Sequence, residues 1–135
     1  MRKSKADLVR GWLEKARRNL LVATRALENP EPLTDIICFH AQQAVEKYLK
    51  AYLVWHEVGF PRTHALEDLA LLAAQVDQEF QELVDEVVVL TPYAVEVRYP
   101  EFEIPSLEDA EEALRTAHKV ARIVLGKLRD VGKND

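Results

Sequence analysis

The chain has 135 residues, of which 48% are hydrophobic and 30% charged, with a formal net charge of -5. That composition excludes a disordered chain and suits one globular domain large enough to bury a core without disulfides or a structural metal. No apolar run approaches the roughly 20 residues that cross a bilayer, and the basic N-terminus leads into an amphipathic pattern instead of a signal-peptide core, so a cytoplasmic protein without membrane contact is expected.

Leu8, Trp12, Ala16, Leu20, Ala23 and Leu27 recur at three- and four-residue intervals and predict a first helix, which Asn29-Pro30-Glu31-Pro32 stops. Thr34 or Asp35 then caps a second helix running to about His56. Gly59-Phe60-Pro61 makes a short connection, and Thr63 caps a third helix with an apolar face of Leu66, Leu69, Ala70 and Ala73. A fourth follows through Phe80, Leu83, Val84, Val87 and Val88. The Val87 to Leu90 run also suits a short strand, but the helical phase held from Phe80 favours helix. Thr91-Pro92 breaks it, and Tyr93 to Pro105 is the least regular stretch. Ser106 caps the last helix with Asp109 three residues on, and Leu107, Leu114, Ala117, Ala121, Val124 and Leu128 supply its inner face. The fold expected is all-α: an up-and-down four-helix bundle with an additional short helix, forming a single domain over 1–135.

The second helix departs from simple amphipathicity. At roughly 100° per residue, His40, Gln43, Lys47 and Lys50 form its polar stripe. Gln42 and Glu46 fall outside it, one turn apart among apolar directions. Burying an amide and a carboxylate there costs several kcal/mol unless a network, a ligand or a second subunit satisfies them. Lys47 and Lys50 read as solvated. The helix carries more apolar arc than one core covers, which predicts a homodimer. Tyr48, Tyr52 and Trp55 fit a core or interface stripe better than a base-stacking platform.

Charge is uneven along the chain. Met1 to Arg25 holds eight Lys or Arg against two acids, while Glu57 to Glu112 holds fifteen acids with only Arg62 and Arg98. If the first and last helices are neighbours, Arg10, Arg17, Arg18, Arg115, Lys119 and Arg122 could form a patch for phosphate; the acidic start and basic end of the last helix also follow from the helix dipole alone. Cys38 stands alone, the glycines are scattered, and no Glu-x-x-His pair occurs, so no cofactor or metal is expected. Acid–base chemistry near neutrality falls to His40, His56, His64 and His118.

Phe39-His40-Ala41-Gln42-Gln43-Ala44-Val45-Glu46-Lys47-Tyr48-Leu49-Lys50, Thr63-His64-Ala65-Leu66 and Val97-Arg98-Tyr99-Pro100 resemble, in order and approximate spacing, the three signature regions of the HEPN family. The resemblance spans about Leu8 to Leu128. It implies a small helical bundle that dimerises, is often encoded beside a minimal nucleotidyltransferase, and acts in nucleotide or RNA binding and in toxin–antitoxin systems. Many members are metal-independent ribonucleases with an Arg followed four to six residues later by a His. Here Arg98 is followed by Tyr99, Pro100, Glu101, Phe102, Glu103 and Ile104, so that histidine is missing. A non-catalytic module that binds nucleotide or RNA through Gln42, Glu46, His64, Arg98 and Tyr99 is therefore favoured. The alternative is a ribonuclease toxin with a rearranged site built from Arg98 with His40 or His64. His64 could touch phosphate or merely pack, and Arg98 could hold an anion or pair with Glu46 or another acid; Gln42 and Glu46 read as members of a polar network with Arg98 as its distant partner.

Overall fold

A computed structural model describes residues 3–129 and 131. The described residues form five α-helices, α1 (Lys5–Glu28), α2 (Thr34–Trp55), α3 (Leu66–Val76), α4 (Val84–Val88) and α5 (Leu107–Leu128), with 3-10 segments at Gln78–Leu83, Thr91–Ala94 and Glu96–Arg98. There is no strand among them, and the all-α bundle expected from the sequence holds. None of these helices is long and apolar enough to cross a membrane.

α2 is the central element. From Ile37 to Trp55 none of its residues is exposed, because α1, α3, α5 and the irregular segments surround it. Fully buried alanines let the helices approach closely: Ala16 and Ala23 on α1, Ala41, Ala44 and Ala51 on α2, Ala110 and Ala117 on α5. This removes the reason given for a dimer, since the apolar arc of α2 is covered within one chain. It also corrects the view of Lys47 and Lys50 as solvated, because both lie under neighbouring segments.

Several details differ from the sequence reading. α1 begins with a capping box, Ser4 with Asp7, ahead of the first apolar residue considered, and its buried positions there are Ala6 and Val9, so Leu8 is left 48% exposed. Neither Thr34 nor Asp35 caps α2. Its N-cap is Leu33, and the Thr34 hydroxyl donates instead to the carbonyl of Pro105 at 2.6 Å, tying the start of α2 to the start of α5. Thr63 accepts from the Ala65 N–H rather than capping α3; the Leu66 N–H is taken by Thr91 Oγ1, whose hydroxyl donates to Glu67. The fourth helix is a 3-10 segment followed by the short α4, with Val88 partly exposed. Ser106 and Asp109 do form a full capping box, but Leu107 points outward and Ala110 and Ala113 take the inner face.

α2 ends near His56 as expected, in a Schellman closure. Val58 N–H donates to the Leu53 carbonyl and Glu57 N–H to that of Val54, with Glu57 at φ 57°. A side chain in this left-handed region carries a cost that glycine avoids. Glu57→Gly is expected to raise stability by about 1 kcal/mol, read as a higher urea midpoint; an unchanged or lower midpoint contradicts this account of the turn.

Candidate functional site

After the turn at Glu57 the chain runs back along α2 instead of leaving it. Phe60 comes under Lys50, and His64 reaches the middle of the helix. There Glu46 is the centre of a closed network. Its Oε1 accepts from His64 Nδ1 at 2.8 Å and from Gln42 Nε2 at 3.3 Å, and its Oε2 accepts from Lys50 Nζ at 3.1 Å. Gln42 Nε2 also donates to the His64 carbonyl at 3.2 Å, while its Oε1 accepts from Gln43. Every buried polar side-chain atom among the described residues has a partner. Burial raises the Glu46 pKa, but hydrogen bonds from His64, Lys50 and Gln42 outweigh it and hold the carboxyl below its usual value. The carboxylate is therefore ionised at neutrality and accepts from Nδ1–H. His64, with its side chain 57% exposed against 6% for Glu46, is left with Nε2 as its second functional nitrogen.

His40 has the opposite environment. Asn19 Oδ1 accepts from Lys47 Nζ at 2.6 Å, which fixes the amide so that its Nδ2 donates to His40 Nδ1 at 2.9 Å. The ring is thereby held neutral with Nδ1 as acceptor, and burial, aided by Lys47, lowers its pKa. Cys38 is buried, which pushes its thiol up to about 12 and removes it as a nucleophile at neutral pH.

Arg98 does not join the Glu46 network, contrary to the expectation from the sequence. Lys50 and His64 occupy the carboxylate, and the Arg98 guanidinium stacks on Phe39 with its carbon 5.0 Å from the ring centroid. Arg98 and the half-exposed Tyr99 line a hollow of about 390 Å³ with Asp35, Phe102 and Ile104. Phe39 and Glu46 are seven residues apart, so they share one face of α2 about 10 Å apart along its axis. Gln42, Glu46 and His64 thus form one cluster, and Arg98 with Tyr99 a second on the same face. His118 lies elsewhere, bonded to Thr24 across α1 and α5 at 3.3 Å. Tyr48 and Tyr52 are both 2% exposed, and Trp55 packs under Lys5, so none of them offers a stacking platform. No group of three or more His, Cys, Asp or Glu converges as metal ligands among the described residues.

The order Phe39 to Lys50, Thr63 to Leu66 and Val97 to Pro100 along one helix face coincides with a direct family match, since the HEPN domain family model covers residues 9–128. The chain belongs to the HEPN family. It is similar to the crystal structure of TT1696 from Thermus thermophilus, with 32% identity, a TM-score of 0.71, and coverage of 89% of this chain and 98% of the other. An archaeal HEPN homologue, ST0689, shares the fold at 22% identity with a TM-score of 0.72, covering 89% and 97%. No curated protein matches the chain. In this HEPN domain the residues that sequence reasoning missed are Lys50, Asn19 and Phe39. The Glu46–Lys50 spacing of four was a readable ion-pair signal, whereas nothing in the sequence joins Asn19 to His40.

The depressed His40 pKa has a definite sign. Between the folded value and the usual 6.5, the unfolded chain binds a proton that the folded chain refuses, so stability falls as pH drops through that window. His40→Gln is expected to flatten the decline between neutral and mildly acid pH in thermal melts. Part of the slope persists through His56, which burial and Lys5 also depress. An identical slope in the variant contradicts the assignment.

Proposed function

We propose that this HEPN domain is a non-catalytic module that binds nucleotide or RNA through His64, Arg98 and Tyr99 on the segments packed against α2, acting with a minimal nucleotidyltransferase in a toxin–antitoxin-like pair. The observation that carries the reading is the spacing of Arg98 and His64 on one face of α2. Their neighbours on α2, Phe39 and Glu46, lie about 10 Å apart along the axis, a spacing that suits two anchor points on an extended anionic ligand. Arg98 offers a planar, permanently charged donor beside a hollow, and His64 offers an oriented Nε2. The missing histidine after Arg98 supports binding without cleavage. The nucleotidyltransferase partner and the toxin–antitoxin setting rest on family membership. A homodimer fits the exposed apolar side chains Phe102 and Ile104 that line the Arg98 hollow, which light scattering would test, a monomer at micromolar concentration ruling it out.

Calorimetry with AMP, ATP and a 5′-phosphorylated oligonucleotide is expected to give saturable heat that Arg98→Ala and His64→Ala each reduce by about tenfold in affinity. Absence of heat with every ligand overturns the reading.

One observation favours a second reading. A buried carboxylate bonded to imidazole Nδ1, with Nε2 outward, is the arrangement that orients a general base. On that reading purified protein cleaves RNA without metal and His64→Ala abolishes the cleavage; intact RNA at high protein concentration rules it out.

A further inference from the structure

The tautomer of His64 is decided by its neighbours. The Glu46 carboxylate meets donors only: Lys50 Nζ has no lone pair to offer, and the Gln42 amide is turned so that Nε2 also donates to the His64 carbonyl while its Oε1 accepts from Gln43. The ring proton therefore stands on Nδ1, 2.8 Å from Glu46 Oε1. The backbone around the ring is held as well, by Gln42 on the His64 carbonyl and by Thr63 Oγ1, which accepts from the Ala65 N–H. A neutral His64 thus turns Nε2 outward as a lone pair, not a donor, on a side chain that is 57% exposed. That nitrogen has no hydrogen-bond partner among the described residues.

We infer that His64 Nε2 accepts a hydrogen bond from the 2′-hydroxyl of a ribonucleotide and so separates RNA from DNA, an assignment that rests on the reading of this face as a nucleotide or RNA site. A phosphate oxygen is itself an acceptor and has no proton to give a lone pair. Glu46 and Lys50, the charges bonded into the cluster, also cancel, so a phosphate finds no net positive charge there. A base needs a ring to stack on. The half-exposed rings, Tyr99 at 49% and Phe102 at 43%, stand with Arg98 at the other cluster, whereas Trp12 and Phe60 hold the Lys50 ammonium. A sugar hydroxyl supplies a donor and needs neither a positive charge nor a ring. In nucleic acid the 2′-hydroxyl is the one that ribose has and deoxyribose lacks. The ligand is then an oligonucleotide whose bases meet the Arg98 hollow and whose sugar edge passes His64.

The probe is a hexanucleotide of one adenine–cytosine sequence, 5′-phosphorylated and labelled with fluorescein at its 3′ end, made with ribose, 2′-deoxyribose or 2′-O-methylribose. Each form is titrated against the full chain by anisotropy at about pH 8, where imidazole is mainly neutral. The ribose form is expected to bind about tenfold more tightly than either of the others, which lack the donor. His64→Asn keeps an amide to donate to Glu46 but has no second nitrogen, and circular dichroism checks that it folds. In it, and in His64→Ala, the ribose form is expected to fall to the affinity of the deoxyribose form, which itself stays unchanged. Arg98→Ala is expected to weaken all three forms alike and to keep their ratio. Saturable binding with equal affinity for the three sugars overturns this assignment while leaving the site reading in place; absence of binding overturns both. Deoxyribose binding that tightens on acidification and is lost in His64→Asn overturns it in favour of a doubly protonated ring on phosphate. Recovery of cleaved RNA from the titration overturns it in favour of base catalysis.

Discussion

A carboxylate buried in the central helix governs the path of the chain. Removing Glu46 from water costs several kcal/mol, and its own helix supplies only part of the compensation, through Lys50 and Gln42. The remainder comes from His64, which reaches Glu46 only because the segment after α2 turns back at Glu57 and runs along the helix. Gln42 then fixes the His64 carbonyl, α3 starts two residues later, and Thr91 closes its first turn from another segment. That closure brings the 91–98 stretch beside α2, where Arg98 meets Phe39. The network that makes the acid tolerable thus also decides where the second cluster sits.

The same constraint explains why α2 has no exposed flank over its central length. An ion pair screened by solvent contributes little, whereas Lys50, whose side chain is 12% exposed between Trp12 and Phe60, meets Glu46 in a medium of lower polarity. Covering the pair requires α1 on one side and the returning loop on the other. Alanines on α1 and α5 let backbones come close enough to do this, and the aromatic and aliphatic weight of the core falls on α2, Phe80 and the start of α3.

Much of this was legible in the sequence, because periodicity and caps are local. The all-α fold, the extents of α2 and α5, and the anomaly of Gln42 and Glu46 follow from spacing alone. What failed depended on contacts between distant residues. Thr34 and Thr63 have the composition of caps, yet Pro105 and Ala65 claim their hydroxyls, and the donor at the start of α3 is met by Thr91, 25 residues away. Arg98 as the partner of Glu46 failed for the same reason: charge complementarity names acceptable partners, and only the path of the loop decided for His64. Lys47 and Lys50 were misjudged because a polar stripe predicts solvent only when nothing folds over it.

The arrangement of protons separates binding from cleavage. Cleavage of a phosphodiester by acid–base chemistry needs one group to take a proton and another to give one. Within one chain His64 can fill one role, since its Nδ1–H is committed to Glu46 and Nε2 remains. His40 cannot easily fill the other, because Asn19 occupies its acceptor nitrogen and burial resists its protonation. Arg98 holds its charge at every working pH, so its chemistry suits anchoring an anion and not donating a proton. On the proposed reading, a single copy therefore has the donors for binding and only half of a catalytic pair. Any cleavage would require the second half from another group, so the supply of a proton donor opposite His64 is the variable on which the two readings divide.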